Sequence, residues 1–323
     1  MSNVVSCIFG WNGLDRAVLG ILGCRLRLAK QVEAKHCIFL LGESTEASLS
    51  ELARFADSLH VARHPLLAKY HGETTLAALT QACGTLQPFA ILLGNDTYSQ
   101  ELAPRLAHRL RGSAAGDAIS LEVKNGSILV NRPVYGGKAL ASIALRRSPG
   151  VVWIRARGQA PAQPQEHRAK VCELTLSLQA DERIKIISQQ SENSVSEVRL
   201  EDARFIVSGG RGLGGPEPFK QLRALAESMG AQMAASRAAC DAGWVPPTWQ
   251  VGQTGKKVAP ELYLAIAVSG ASQHLMGIAD AKVVAAINTD RYAPIFSRCQ
   301  FGLVEDYRNV VGLLQQKLSE LCS

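Results

Sequence analysis

Apolar and polar positions in the first third of the chain follow two different periods. Residues 4–9, 37–41 and 90–94 are short unbroken apolar runs of strand length. Residues 15–29, 47–56 and 74–83 instead repeat apolar positions every three or four residues, the spacing of an amphipathic helix. Strand and helix in alternation predict a parallel α/β sheet. After a further helical stretch at 100–109 the character changes. Residues 118–123, 128–133, 139–145 and 151–155 are strand-like and joined by short turns such as Lys124-Asn125-Gly126, so they are expected to pair antiparallel or at the sheet edge. Residues 159–165, with two prolines, read as a loop.

The stretch Ser188-Gln189-Gln190-Ser191-Glu192-Asn193-Ser194 is polar without an apolar period and reads as a connector. A second α/β unit follows, with a strand at 204–207, a glycine-rich turn, a helix at 216–229, a strand at 283–287 and a helical pattern at 307–321. The expected architecture is therefore α/β in two domains. Residues 1–187 form an N-terminal, mostly parallel domain with added antiparallel strands, 188–200 a linker, and 201–323 a C-terminal Rossmann-like domain.

Composition narrows the function classes. A chain of 323 residues with 47% apolar content is long enough for two cores. It contains no run of 18 apolar residues, and its start shows neither a secretory nor a transit pattern, so direct membrane insertion is not expected and a cytoplasmic protein is. The eight cysteines form no CxxC pair, and His36, His60, His64, His71, His108 and His167 lack metal-ligand spacing, which argues against a metal site or a disulfide framework. The net charge of +7 is dispersed rather than gathered into a basic run with aromatics. That pattern suits an acidic partner protein better than nucleic acid.

Candidate chemistry concentrates in the second unit. Gly210-Arg211-Gly212-Leu213-Gly214-Gly215 spells GxGxxG between a strand and a helix, which alone would support an NADP-dependent oxidoreductase with Arg237 facing the extra phosphate. No Tyr-x-x-x-Lys or His/Asp pair for hydride chemistry stands out beside it. Loops 251–257 and 269–274 are expected to carry free backbone N–H groups and hydroxyls, the equipment for an anionic, polyhydroxylated cofactor. A lone histidine, His274, sits where a strand meets a helix.

Seven motifs stand in order: VSGGRGL at 207–213, ASRAACDAG at 235–243, VGQTGK at 251–256, APELY at 259–263, SGASQHLMG at 269–277, AIN at 286–288 and APIF at 293–296. Together they closely resemble the electron-transfer flavoprotein alpha subunit, the chain that holds FAD. In the first domain LAPRLA at 102–107 and Asp117 are similar to the family's arrangement, while Phe9-Gly10-Trp11-Asn12-Gly13 departs from its usual opening.

The resemblance implies a set of roles for residues of this chain. A flavin that passes single electrons gathers negative charge near N1 and the C2 carbonyl, so fixed positive charge or donors there raise its potential. Arg237 and His274 match the family positions for that task, Thr254 the one aimed at N5 or O4, and Arg211 the arginine reaching the ring from the glycine turn. Ser236, Ser269 and the backbone of Gly270, Ala271, Ser272 and Gln273 would hold the pyrophosphate and ribityl chain, beside Val251, Gly252 and Gln253 of the neighbouring loop. Asn288 and Asp306 would meet the adenosine end, and Tyr307 is a further cofactor-binding candidate. Each has a plainer reading from the residues alone. Ser236, Ser269, Thr254 and Asp306 could be local caps, Asn288 a turn residue, Arg211 and Arg237 surface arginines, and His274 a histidine bonded to backbone. The family further implies an electron-transfer flavoprotein beta subunit docked on the first domain. Flavoprotein dehydrogenases would be donors, with a quinone oxidoreductase or another acceptor downstream. No catalytic general base, covalent nucleophile or metal is expected.

Overall fold

The apolar runs and helical periods of the first unit become β1 (Asn3–Phe9), α1 (Arg16–Gln31), β2 (Lys35–Leu41), α2 (Glu46–Leu52), β3 (Ser58–Ala62), α3 (Gly72–Leu86), β4 (Pro88–Leu93) and α4 (Thr97–Arg109). Aspartates set two of the helix starts, Asp15 accepting from Val18 N and Asp96 from Ser99 N, each at 2.8 Å. The computed structural model describes residues 3–10, 13–137, 139–181, 183–184, 187–188 and 199–322. Trp11, Asn12 and most of the expected linker lie outside the described residues. The chain divides into two units, Met1–Ser191 and Glu192–Ser323.

With β5 (Ser113–Ala118), β9 (Gly150–Ile154) and β10 (Lys170–Glu173), the first unit builds a seven-stranded sheet in the order β10-β3-β2-β1-β4-β9-β5. Every pair in it is parallel. Helices cover both faces. Leu22 and Leu28 of α1 pack on one, Leu79 of α3 and Leu102 of α4 on the other. A separate antiparallel meander, β6 (Ser120–Lys124), β7 (Ser127–Val134) and β8 (Ala139–Leu145), packs Ile128 and Val130 onto the α1 side.

Two expectations change here, and one strand was not foreseen. The run 118–123 is not one strand, because β5 ends at Ala118 and β6 begins at Ser120, with Ile119 between them. The run 151–155 is neither antiparallel nor an edge. As β9 it lies between β4 and β5, and Val151, Val152 and Ile154 are fully buried, as in a strand covered on both faces. β3 was hidden because Ser58 and His60 interrupt its apolar run.

The second unit has β11 (Phe205–Gly209), α5 (Pro218–Ser228), β12 (Gln232–Ala235), α6 (Arg237–Asp241), β13 (Leu262–Ile266), α7 (Ser272–Gly277), β14 (Val283–Asn288), β15 (Phe301–Val304) and α8 (Tyr307–Cys322). Its parallel sheet runs β12-β11-β13-β14-β15. Phe219 and Leu222 of α5 and Val311 of α8 bury one face, while Val258, Tyr263, Ile278 and Ile295 fill the other side. Strand order reverses between β11 and β13. In such sheets the carboxyl ends of the strands on either side of the reversal leave a crevice.

Candidate functional site

A cleft of about 630 Å³ opens at that reversal, walled by the segments following β11, β12, β13 and β14 and by residues 250–254. The glycine turn forms one wall, and its glycines serve the protein's own packing. Gly210 N donates to Ile266 O at 2.9 Å, and a Cβ on Gly210 would fall 2.0 Å from the Ala267 carbonyl oxygen. The close backbone approach that a dinucleotide turn reserves for pyrophosphate is thus taken by Ala267, itself held at a left-handed φ of 55°. The helix also starts late, at Pro218. The GxGxxG reading as an NADP site loses its physical basis.

Loop 251–257 spends most of its donors internally. Val251 N donates to Ala235 O (3.0 Å), Gly252 N to Lys256 O (3.1 Å), Gln253 N to Gln273 O (2.7 Å) and Lys256 N to Gln250 O (2.7 Å). The expectation of free N–H groups there is corrected for these four residues. The bonds pin the loop to α7, where a Cβ on Gly277 would sit 2.5 Å from Gly252 N. Thr254 Oγ1 accepts from Gln250 Nε2 at 3.0 Å.

Ser236 has the extended backbone of a residue preceding a helix, φ −72° and ψ 153°, yet its side chain caps nothing. Its Oγ is buried without a hydrogen-bond partner. His274, 6% exposed, is also orphaned at one nitrogen. Nε2 lies 3.0 Å from Tyr263 Oη, while Nδ1 has no partner within hydrogen-bond geometry. Burial lowers the imidazole pKa to about 4, offset in part by the Val251 backbone. Burial raises the Tyr263 phenol well above its ordinary value, so it stays protonated.

Charge enters the cleft from Arg211 on the glycine turn and from Arg237, whose Nε lies 3.2 Å from Asp241 Oδ2. Asn288 both lines the cleft and shapes its own turn, donating from Nδ2 to Val268 O (2.9 Å) and accepting from Asp290 N at Oδ1 (2.9 Å).

Of the residues singled out in the sequence, Arg211, Ser236, Arg237, Val251, Gly252, Gln253, Thr254, Ser269, Ala271, Gln273, His274 and Asn288 converge on this one space. Four others stand away from its lining. Gly270 is backed against Ile295, 2.3 Å from its N if it carried a Cβ. Ser272 Oγ bonds Gln273 Oε1 at 3.3 Å. Asp306 caps α8, accepting from Arg308 N at 2.9 Å. Tyr307 is in the core, its hydroxyl donating to Leu213 O at 3.1 Å and holding the glycine turn from beneath. Gln250, Asp241 and Asp290 join the lining unannounced. Only Asp241 had a legible signal, its i,i+4 spacing from Arg237.

Residues 23–178 match the electron transfer flavoprotein domain and residues 199–279 the electron transfer flavoprotein FAD-binding domain. The chain is 36% identical over 313 residues to the electron transfer flavoprotein subunit alpha of Thermoanaerobacterium thermosaccharolyticum, covering 95% of this chain and 94% of that protein. The chain belongs to the electron transfer flavoprotein alpha-subunit family. The subunit alpha of Bacillus subtilis is 33% identical, over 87% of each chain, and the protein FixB of Azorhizobium caulinodans 34% identical, over 88% of this chain and 80% of that one. The second unit carries this family's FAD-binding domain, and FAD is the cofactor it is built for. The residues present fit that group. A cleft lined by two arginines, with a buried unpartnered hydroxyl at Ser236 and a buried unpartnered imidazole nitrogen at His274, holds polar atoms that only an incoming ligand or water can satisfy. Among the described residues no helix is long and apolar enough to cross a membrane.

Proposed function

We propose that the chain holds FAD in the cleft of its second unit and works with a beta subunit as an electron carrier, converting no substrate of its own. Flavoprotein dehydrogenases would reduce the complex, and a quinone oxidoreductase or other acceptor would reoxidise it. The observation that carries this reading is the pair of orphaned buried polar atoms, Ser236 Oγ and His274 Nδ1, on residues lining one cleft at the strand reversal.

FAD, when bound, supplies one-electron redox chemistry. The protein's part is to bind, orient and tune. We assign the pyrophosphate and ribityl chain to Ser236, Ser269 and the backbone from Gly270 to Gln273, because Ser236 offers a hydroxyl without a protein partner and Ser269, Ala271 and Gln273 line the cleft beside it. The ring is assigned to the side of Arg237, Thr254 and His274, with Arg211 reaching it from the glycine turn. Asn288 and Asp306 are assigned to the adenosine end. Arg237 contributes a charge that does not titrate, and His274, neutral at ordinary pH because of its burial, contributes a hydrogen bond.

We assign the first unit to the beta subunit as its scaffold. Tyr135 and Leu140, at the β7–β8 connection, are 84% and 66% exposed, apolar surface of the kind that marks a protein interface. The test is co-expression with the beta subunit, followed by a visible spectrum and a cofactor count. One FAD per heterodimer, released only on unfolding, is expected. A folded, colourless heterodimer that ignores added FAD would overturn the assignment.

A further inference from the structure

Tyr263 lies in the middle of β13, in register with Ile206 and Val284, and is fully buried among apolar side chains. A phenylalanine would fill that place without burying a hydroxyl, which costs free energy unless the hydroxyl is bonded. The bond it makes is to His274: Oη lies 3.0 Å from Nε2, with the ring centroids 6.0 Å apart in an edge arrangement. By distance either atom could be the donor, and the surroundings of the phenol decide. Tyr263 is buried among apolar side chains, and among the described residues Nε2 is the acceptor its hydroxyl reaches within hydrogen-bond geometry. Turned the other way, the phenol proton would be buried without an acceptor, which costs free energy. With Tyr263 donating, Nε2 is bare and the neutral imidazole carries its proton on Nδ1, the nitrogen that has no partner in the protein.

We propose that Tyr263 is a positioning residue that holds His274 as the Nδ1–H tautomer, so that the cleft is offered a hydrogen-bond donor and not a lone pair. This rests on the reading that places the flavin ring beside His274. It goes further in naming the residue that sets the histidine's polarity, eleven positions away on another element. The consequence is directional. A donor favours a ring that gains negative charge, and an acceptor at the same point opposes it. Because His274 is neutral at ordinary pH, the tautomer and not the charge decides its sign.

The experiment uses the FAD-loaded heterodimer in its wild-type, Tyr263→Phe, His274→Ala and doubly substituted forms. In the wild type, 15N spectra of histidine-labelled protein should show the His274 proton on Nδ1. This measurement stands even if Tyr263→Phe proves unstable. In Tyr263→Phe the proton should shift toward Nε2. The equilibrium constant for uptake of the first electron should fall roughly tenfold, the size of one net hydrogen bond, or ~59 mV by spectroelectrochemical titration. Adding Tyr263→Phe to His274→Ala should change the potential no further, because the effect passes through the imidazole. A wild-type proton on Nε2, or a Tyr263→Phe protein with unchanged tautomer and potential, overturns the proposal. If His274→Ala leaves the potential unchanged while Tyr263→Phe still moves the proton, the ring placement fails and the tautomer lock stands.

Discussion

Ser236 precedes a helix, where serine ordinarily bonds a backbone N–H two or three residues on, and alanine there costs about 1 kcal/mol. Here that bond is not made and Oγ is buried without a partner. Ser236→Ala should therefore leave the melting temperature of the cofactor-free protein almost unchanged while weakening FAD binding about fivefold, one neutral hydrogen bond's worth. Fluorescence titration and a thermal melt on the same sample check both halves, and a large loss of melting temperature with normal FAD retention would make Ser236 a structural residue. Arg237 and Asp241 form an exposed pair with Nε 3.2 Å from Oδ2. On the proposed placement of the ring, a carboxylate beside the guanidinium would offset part of its field there. Arg237→Ala should lower the first one-electron potential and Asp241→Asn should raise it. Since the pair is solvent-screened in the cofactor-free chain, the arginine effect is expected near ~60 mV, the lower end for a charge-assisted contact. Equal potentials in both variants and wild type would remove Arg237 from the tuning mechanism.

The glycine turn after β11 is an element whose sequence suggests one service and whose packing shows another. A Cβ on Gly210 would collide with the Ala267 carbonyl, whereas around Gly215 no heavy atom lies within 4 Å. Gly210→Ala should cost about 2 kcal/mol or more in urea denaturation, because backbone, not a flexible side chain, must give way. Gly215→Ala should stay within about 0.5 kcal/mol. Comparable losses at both positions would show that the turn and the β13–α7 segment are not clamped together as described. The loop at 251–257 is held in the same manner. The N–H groups of Val251, Gly252, Gln253, Gly255 and Lys256 are bonded within the protein, to Ala235, Lys256, Gln273, Gly252 and Gln250 in turn.

For the whole molecule the buried histidine links the site to stability. The His274 pKa falls from 6.5 to about 4 on folding, so between those values the unfolded chain binds the proton that the folded chain refuses. Stability is then full above about pH 6.5 and declines as pH falls toward 4, with His274 responsible for on the order of 3 kcal/mol across the window. His36 and His60 are also lowered by burial and add to the slope. The expected result is a flatter dependence of melting temperature on pH between 7 and 4 in His274→Gln than in the wild type. Parallel curves would mean that the imidazole is not buried as a neutral base.

How much of this was legible in the chain divides along a physical line. Periodicity reports whether a segment buries one face or two, and it located β1, β2, β4, α1 to α5 and α8, because that property is local, while the short α6 and α7 carry too few turns to show a period. Motif order located the cleft, since the segments following successive parallel strands end on the same side of the sheet. Lateral neighbours are not local. β9 reads like its antiparallel predecessors, and only the sheet shows it filling the place between β4 and β5. Ser236 and Asp306 look alike as helix-start residues, yet one is left unpartnered in the cleft and the other caps α8. Tyr307 follows Asp306 directly but turns into the core to hold Leu213. Tyr263 stood in the sequence as one letter of APELY. Its bond to His274 exists because a strand and a short helix are brought within 3.0 Å, and the partner of a buried polar atom is chosen by that approach, which no residue pattern along the chain encodes.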